Sequence, residues 1–355
     1  MKYLVVRFRQ MGDAVIATCL LNSIRENDPE ADITFVLNEK IAPLFRGHPS
    51  IDHIVTFTEK ERHSVWRNLW KMRQTVHRVH YDVIIDMRST VNTMGFALFS
   101  PRSKYRIGLD KWYTRLVYSH LVHRFHAGDT AISHDLDMLR PLGFSHVDGR
   151  ISLYVSDEER SQWAKKLVDW GLDLTKPIVM VGVSAKLEEK KWSLEGMAYI
   201  TKQLIARNDD AQIVFNFAPG QEADDAKRVY ALCGNDRHIF LNVDAKSQRE
   251  LSVMATFVTF YFGNEGGARH IMHAHGKPSF VVVSPGRDPR IWIPDDGVPA
   301  SWACLDDLMS REKQEQYTFA EQYKLITPEY VWRKLAAFLD KKNILTANPE
   351  VGVGR

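Results

Sequence analysis

The sequence predicts an α/β protein built from two doubly wound domains, each a parallel sheet covered by helices on both faces, with a cleft between them. Three observations carry this prediction. Apolar runs of strand length alternate with amphipathic helical stretches along nearly the whole chain, joined by short connections. That rhythm is punctuated by "GLDLTKP" (171–177), where Gly171 and Pro177 are turn signals. A chain of 355 residues also exceeds the usual size of one hydrophobic core. In such sheets a ligand binds outside the carboxyl ends of the strands, near helix N-termini, so residues that carry chemistry are expected in loops just after strands.

In the first half, residues 3–8 read as a strand and 13–26 as a helix closed by Asp28-Pro29. Strands follow at 33–37 and 51–57, and a helix at 64–80 carries Val65, Leu69, Met72 and Val76 along one side. "YDVIIDM" (81–87) is a buried strand, 90–99 a short helix, 105–109 a strand and 132–142 a helix, with 151–155 closing the half as a strand. The second half repeats the pattern. Residues 157–170, 194–206, 222–233, 248–257 and 268–275 read as helices, and 178–183, 213–217, 239–243, 258–262 and 279–283 as strands. At the end, Thr327, Pro328 and Glu329 give a helix its N-cap, its first residue and a first-turn acid. The domains are therefore drawn at 1–170 and 171–326, followed by a helix over 327–345 and a flexible tail, 346–355.

Hydrophobic residues at 45% and charged residues at 26% are ordinary for a globular protein, and no run approaches the ~20 apolar residues needed to span a bilayer. The N-terminal apolar run is too short for a signal peptide, and Cys19, Cys233 and Cys304 lie far apart, so a cytoplasmic, reducing location is expected. Net charge is only +3, yet between Lys60 and His126 thirteen lysines and arginines and six histidines stand against four acidic residues. Trp66, Trp70, Tyr105, Trp112 and Tyr113 are interleaved with them. Two readings are open: a solvated face, or a surface for an acidic partner such as a phosphorylated substrate, an anionic headgroup or nucleic acid.

Five loops qualify by position. In "RQMGD" (9–13) a glycine precedes Asp13 where strand turns to helix; spacing alone favours a helix cap, and chemistry above the helix is the alternative. In "SAKLEEKKWS" (184–193) Lys186, Lys190 and Lys191 gather before a helix that Ser193 is placed to cap, which suits a diphosphate, although Glu188 and Glu189 also fit a plain surface loop. Glu222 opens a helix and suits either ribose hydroxyls or an ordinary first-turn acid. "GNEGGARHIMHAHGKP" (263–278) has glycines that let backbone approach a ligand and a helix that aims amides at phosphate. Its histidines 270, 273 and 275 lack a carboxylate at ligand spacing, so no metal is expected. "SPGRDPRIW" (284–292) offers two arginines as an anion rim. The absence of GxxxxGK[ST], of GxGxxG after the first strand and of GxSxG argues against a P-loop phosphotransferase, a dinucleotide oxidoreductase and a serine hydrolase.

Taken together these loops resemble the bacterial lipopolysaccharide heptosyltransferases, glycosyltransferase family 9. "MGDAVIAT" is similar to that family's N-terminal signature, and "KKWS" (190–193) to its Lys-x-Trp-Pro element with Ser193 in place of proline. "NEGGARH" is similar to its Asp-Thr-Gly-x-x-His stretch, with Glu265 and Gly266 in place of the Asp-Thr pair and Gly267 and His270 matching. "SPGRDP" is similar to a Gly-Pro-Thr-x-Pro turn with one residue inserted. The resemblance implies a GT-B fold, with an acceptor-binding first domain, a donor-binding second domain and a last helix that packs back on the first. It also implies an inverting, metal-independent transfer from an ADP-activated heptose.

On that resemblance Asp13 is the general base and Lys190 meets the donor diphosphate. Ser184, Lys186, Lys191, Glu222, Glu265, Gly266, Gly267 and His270 are donor-site candidates, and Arg9, Gly12, Arg62 and Arg88 acceptor-site candidates. The expected partners are a nucleotide-sugar donor, a phosphorylated envelope glycolipid and the inner face of the inner membrane, touched peripherally. No cofactor and no nucleic acid is expected. The replacements at Glu265 and Gly266, and the Ser184 and Lys186 side chains before Lys190, keep two alternatives open: a transferase or epimerase of the same fold using another nucleotide sugar, and a non-catalytic basic binding module.

Overall fold

Each half of the chain winds a six-stranded, all-parallel sheet in the same order. A computed structural model describes residues 1–8, 10–123, 128–293 and 295–346. The chain divides into two compact units, Met1–Val155 and Ser156–Arg355.

In the first unit the strands are β1 (Lys2–Val6), β2 (Asp32–Asn38), β3 (His53–Phe57), β4 (Val83–Asp86), β5 (Tyr105–Leu109) and β6 (His120–Val122), in the spatial order β3-β2-β1-β4-β5-β6. β1 and β4 are buried almost throughout, as strands covered on both faces must be. Phe8, Phe57 and Phe96 pack together beneath helix Val65–Arg78, with Phe8 and Phe57 centroids 4.9 Å apart. The order reverses between β1 and β4, so the crevice of this sheet opens above the loops that leave those two strands.

The second unit has β7 (Ile178–Gly182), β8 (Gln212–Asn216), β9 (Ile239–Phe240), β10 (Phe260–Asn264), β11 (Ser279–Val282) and β12 (Ala300–Ala303), ordered β12-β11-β10-β7-β8-β9. Its switch point lies between β7 and β10. These two strands approach closely: a Cβ on Gly263 would sit 2.8 Å from the Gly182 carbonyl oxygen and 2.9 Å from Gly182 Cα. Gly263→Ala is therefore expected to force the pair apart and lower stability by about 1–3 kcal/mol in urea unfolding. A parent-like midpoint would show that the sheet opens there without strain.

The α/β class and nearly all the elements follow the sequence; the differences have local causes. The first helix begins earlier and is interrupted, as Met11–Ile16 and Thr18–Asn27, where the Thr18 hydroxyl bonds the Val15 carbonyl at 2.6 Å. Residues 151–155 form no strand, because Ser152 is tied instead to helix Thr18–Asn27 through Thr18 Oγ1 and Asn22 Nδ2. The short edge strands β6 and β12 carry no alternation long enough to read.

The unit boundary also moves, from 170/171 to 155/156. Ser156 and Glu159 cap helix Asp157–Asp169 reciprocally, and that helix is held in the second unit by Glu159–Arg249 (2.9 Å) and by Trp163 against Met254. Arg249 holds the Glu159 carboxyl at about 2. The Gly171–Pro177 turn lies inside this unit, where Asp173 and Gln212 exchange hydrogen bonds of 2.7 Å. Helix Pro328–Lys342, expected to return to the first domain, packs in the second unit on β12 and helix Leu194–Arg207, burying Val331, Leu335, Phe338 and Leu339. Residues 347–355, most of the expected flexible tail, lie outside the described residues. No described helix is long and apolar enough to cross a membrane.

Candidate active site

In the first unit the chemistry gathers where β1 and β4 end. Asp13 does not occupy the N-cap. Gln10 does, and Asp13 is the third residue of helix Met11–Ile16, mostly buried. The residue after β1 is Arg7, and its guanidinium organises the site. Nη2 lies 3.6 Å from Asp13 Oδ1 and 3.1 Å from Asp135 Oδ2, Nε donates to the Asp13 carbonyl at 3.3 Å, and Nη1 reaches the Met87 carbonyl at 3.5 Å. Arg7 and Asp135 are buried. Two carboxylates thus share one cation, which fixes where Asp13 stands. An arginine inside the apolar run "YLVVRF" is the sequence signal that a buried partner exists, since lone buried charges are rare; nothing in the sequence singles out Asp135.

The neighbouring loop is equally ordered. Buried Asp86 accepts from the backbone N–H groups of Arg88 (3.0 Å) and Ser89 (2.8 Å) and from the Tyr118 hydroxyl (2.6 Å), while burial pushes its pKa up. Ser89 sits in the left-handed region at φ +48°, a strained conformation of the kind that collects at working sites. Arg88 donates from Nη1 to the Phe8 carbonyl at 2.5 Å, bracing the two loops together. Of the acceptor-side candidates, Gly12 shares the first turn with Asp13, and Arg88 is brought to that same loop. Arg62 lies farther along the carboxyl edge, in helix Glu59–His63 after β3, and its buried Nε has no hydrogen-bond partner among the described residues. Arg9 falls outside the described residues.

In the second unit the loops after β7, β10 and β11 converge. Lys190, in the turn Glu188–Lys190, acts electrostatically on both Glu265 and His270. Glu265 is mostly buried. Ser284 Oγ donates to its Oε2 at 3.2 Å and Arg287 Nε stands 3.8 Å away. Burial raises its pKa, opposed by Lys190 and Arg287. Gly266 and Gly267 open helix Gly267–Ala274, and Gly266 N-caps it in extended backbone. Burial, together with Arg269 and the cations around it, keeps the His270 imidazole pKa well below its usual value, so the ring is neutral. Tyr323 closes the group, its hydroxyl 3.0 Å from Ser284 Oγ and 3.3 Å from the Glu189 carbonyl. Cations beside a helix N-terminus, set at the switch point of a parallel sheet, are chemically suited to an anion.

Three candidates are engaged elsewhere. Ser184 Oγ and Lys191 Nζ both contact Asp225, at 2.6 and 3.3 Å, and Lys191 also pairs with Glu188 at 2.7 Å. Glu222 Oε2 accepts from Ala218 N–H at 3.2 Å, the loop-closing role of a first-turn acid. Lys186 is exposed. Ser193, in the position the resemblance gives to proline, caps helix Leu194–Arg207 through Gly196 N–H, and Trp192 is buried beside it, bonded to Asn264 Oδ1 and the Ile326 carbonyl at 2.9 Å each. Sequence reading missed Asp225, Asn264 and Tyr323. The three residues act through distant elements, and local spacing carries no trace of such pairing. His273 pairs with Asp296 and His275 with Ser252, and no group of three metal-ligating side chains occurs among the described residues.

Residues 69–287 match the family model for glycosyltransferase family 9 (heptosyltransferase). The chain belongs to glycosyltransferase family 9. Within this family it is similar to the lipopolysaccharide core heptosyltransferase OpsX of Haemophilus influenzae, 20% identical over 280 residues, which span 77% of this chain and 76% of that one. Among solved structures, the family 9 glycosyl transferase from Veillonella parvula superposes with a TM-score of 0.81 at 18% identity, over 96% of this chain and 97% of that one. Escherichia coli heptosyltransferase WaaC with ADP-2-deoxy-2-fluoro heptose gives 0.70 at 15% identity, over 95% and 99%. These likenesses establish the GT-B architecture of this family 9 member.

Proposed function

We propose that this family 9 protein moves a heptose from ADP-heptose to a hydroxyl of a lipopolysaccharide inner-core or similar envelope glycolipid, with inversion and without a metal. The observation that carries the reading is Asp13, a carboxylate at the switch point of the first sheet whose place is set by a buried arginine shared with a second carboxylate. In this reading Asp13 takes the proton of the acceptor hydroxyl as its oxygen attacks the anomeric carbon. The bond from that carbon to the diphosphate oxygen breaks, and ADP leaves with the electron pair. Lys190 and the amides at Gly266–Gly267 stabilise the charge that develops on it. Glu265 and neutral His270 are the groups placed to meet the donor sugar. Support comes from the family, from the heptosyltransferase names of its relatives, and from a solved neighbour whose ligand is an ADP-heptose analogue. The protein works in the cytoplasm, at the inner face of the inner membrane.

Thermal unfolding with ADP, UDP, GDP and CDP, each with and without chelator, tests the donor. Ligand at 100 times its Kd adds about 2.7 kcal/mol, so the shift is readable. Stabilisation by ADP alone, indifferent to chelator, is expected. Stabilisation by another nucleotide would overturn the donor and keep the transferase; a chelator-sensitive shift would overturn metal independence.

A further inference from the structure

We infer that the first unit docks on an anionic bilayer through helix Val65–Arg78 and the segments that follow β4 and β5. Trp66, Trp70, Trp112 and Leu116 enter the interfacial layer, and Arg67, Arg73 and Arg78 meet lipid phosphates. The inference takes from the proposed function only that the acceptor is lipid-linked; the docking itself rests on the surface.

That surface is unusual in four respects. Trp66 and Trp112 are 83% and 85% exposed, Trp70 64% and Leu116 fully so, although a folded chain normally turns large apolar side chains inward. Trp66, Trp70, Arg73 and His77 recur at helical spacing and form one outward stripe, while Asn68, Met72 and Val76 are buried on another side. No acidic residue occurs from 62 to 81. Lys71 is neutralised by Glu61 at 2.7 Å and Arg115 by Asp110 at 3.0 Å, whereas Arg67, Arg73 and Arg78 have no ion pair among the described residues.

The three segments form one assembly. Asn68 Nδ2 donates to the Asn92 carbonyl at 3.0 Å, and Met72 packs against Gly95; Lys111 Nζ donates to the Ser89 carbonyl at 2.8 Å, beside Trp112. The segments after β4 and β5 leave the carboxyl edge of the sheet, the edge that carries Asp13. Indoles and arginines together suit the headgroup region, where an amphipathic ring is half solvated and cations meet phosphates. A small anion would use the arginines and leave the indoles and Leu116 in water. RNA would stack on indoles, but it gives no use to the exposed aliphatic side chains of Val65, Val91, Leu98 and Leu116.

Flotation of the full chain with vesicles of neutral phosphatidylcholine, or of phosphatidylcholine with a quarter phosphatidylglycerol, tests this directly. Binding to the anionic vesicles only is expected, weakening as salt rises. W66A/W70A/W112A is expected to bind at least tenfold more weakly with unchanged circular dichroism and Tm, because the side chains are exposed. It should keep parent-like transfer to a detergent-dispersed acceptor. R67E/R73E/R78E is expected to lose anionic-vesicle binding by a similar factor. No flotation, equal flotation with both vesicle types, or parent-like flotation of either variant would overturn the inference. So would tight binding of a single-stranded RNA oligomer without flotation, which would give the face to nucleic acid. Nucleotide stabilisation does not enter this readout, so failure here leaves the donor assignment standing, and failure there leaves the docking standing.

Discussion

Asp13→Asn is expected to lower turnover by about 10²–10⁴-fold, the usual contribution of a positioned general base, while the ADP-induced thermal shift stays at its parent value. Asparagine keeps the shape of the side chain and the first turn of helix Met11–Ile16 but cannot take a proton. Asp13→Ala should behave alike in turnover, and the pair of variants separates charge from space. Because Gln10, not Asp13, holds the N-cap position, neither change should remove a helix cap. Arg7 keeps Asp135 as a partner in both variants, so thermal stability is expected to fall by less than the ~3–5 kcal/mol of a fully broken buried pair. Parent-like turnover in both variants would show that another group accepts the proton. A collapse of stability instead would show that the carboxylate serves the fold.

Arg7→Met should produce the largest loss of stability. The substitution keeps an unbranched side chain in the core but takes the guanidinium from Asp135, which is 1% exposed and is left with only the His134 ring, 3.7 Å away, among its ion-pair contacts in the described residues. Breaking a buried ion pair from one side costs about 3–5 kcal/mol, a large share of the 5–15 kcal/mol that holds a typical domain. The double variant Arg7→Met/Asp135→Leu is expected to recover the part of that loss that comes from Asp135, while Asp13, which shared the same guanidinium, still lacks it. Its turnover should remain low, because Asp13 has lost the guanidinium that fixes its position. Urea unfolding reads the first effect and single-turnover kinetics the second. A parent-like midpoint for Arg7→Met would mean that water or a rearranged group satisfies Asp135.

The sheets were legible because strands buried on both faces read as unbroken apolar runs, as in "YLVV" and "IVMVG". So was the last helix, whose Thr327 cap and Pro328 stand where the sequence put them. The domain boundary was misread because Gly and Pro report a turn, not what lies on either side of it. The capping signal at Ser156 and Glu159 marked the start of the second unit's first helix, but membership depended on Arg249, ninety residues away. The site divides along the same line. Asp13, Lys190, Glu265 and His270 stand in the segments that link a strand to the next helix or in that helix's first turn, which the alternation of elements marks, and the family resemblance singles them out there. Arg7, Asp86, Asp135 and Asp225 are made important by partners that only folding brings near. Lys191 shows the converse: a lysine in the right loop is held by Asp225 and Glu188.

The packing of helix Pro328–Lys342 into the second unit has a consequence for synthesis. All the strands and helices of the first unit precede Ser156, so that unit has everything it needs once it clears the ribosome. The second unit lacks part of its core until Val331, Leu335 and Leu339 emerge. At 5–20 residues per second the intervening segment takes roughly 10–40 s to translate. During that interval one unit is complete, and from the moment helix Leu194–Arg207 and then β12 are made they expose an apolar surface that the last helix covers. It is during this wait, with the last helix still unmade, that the nascent chain has most need of a chaperone.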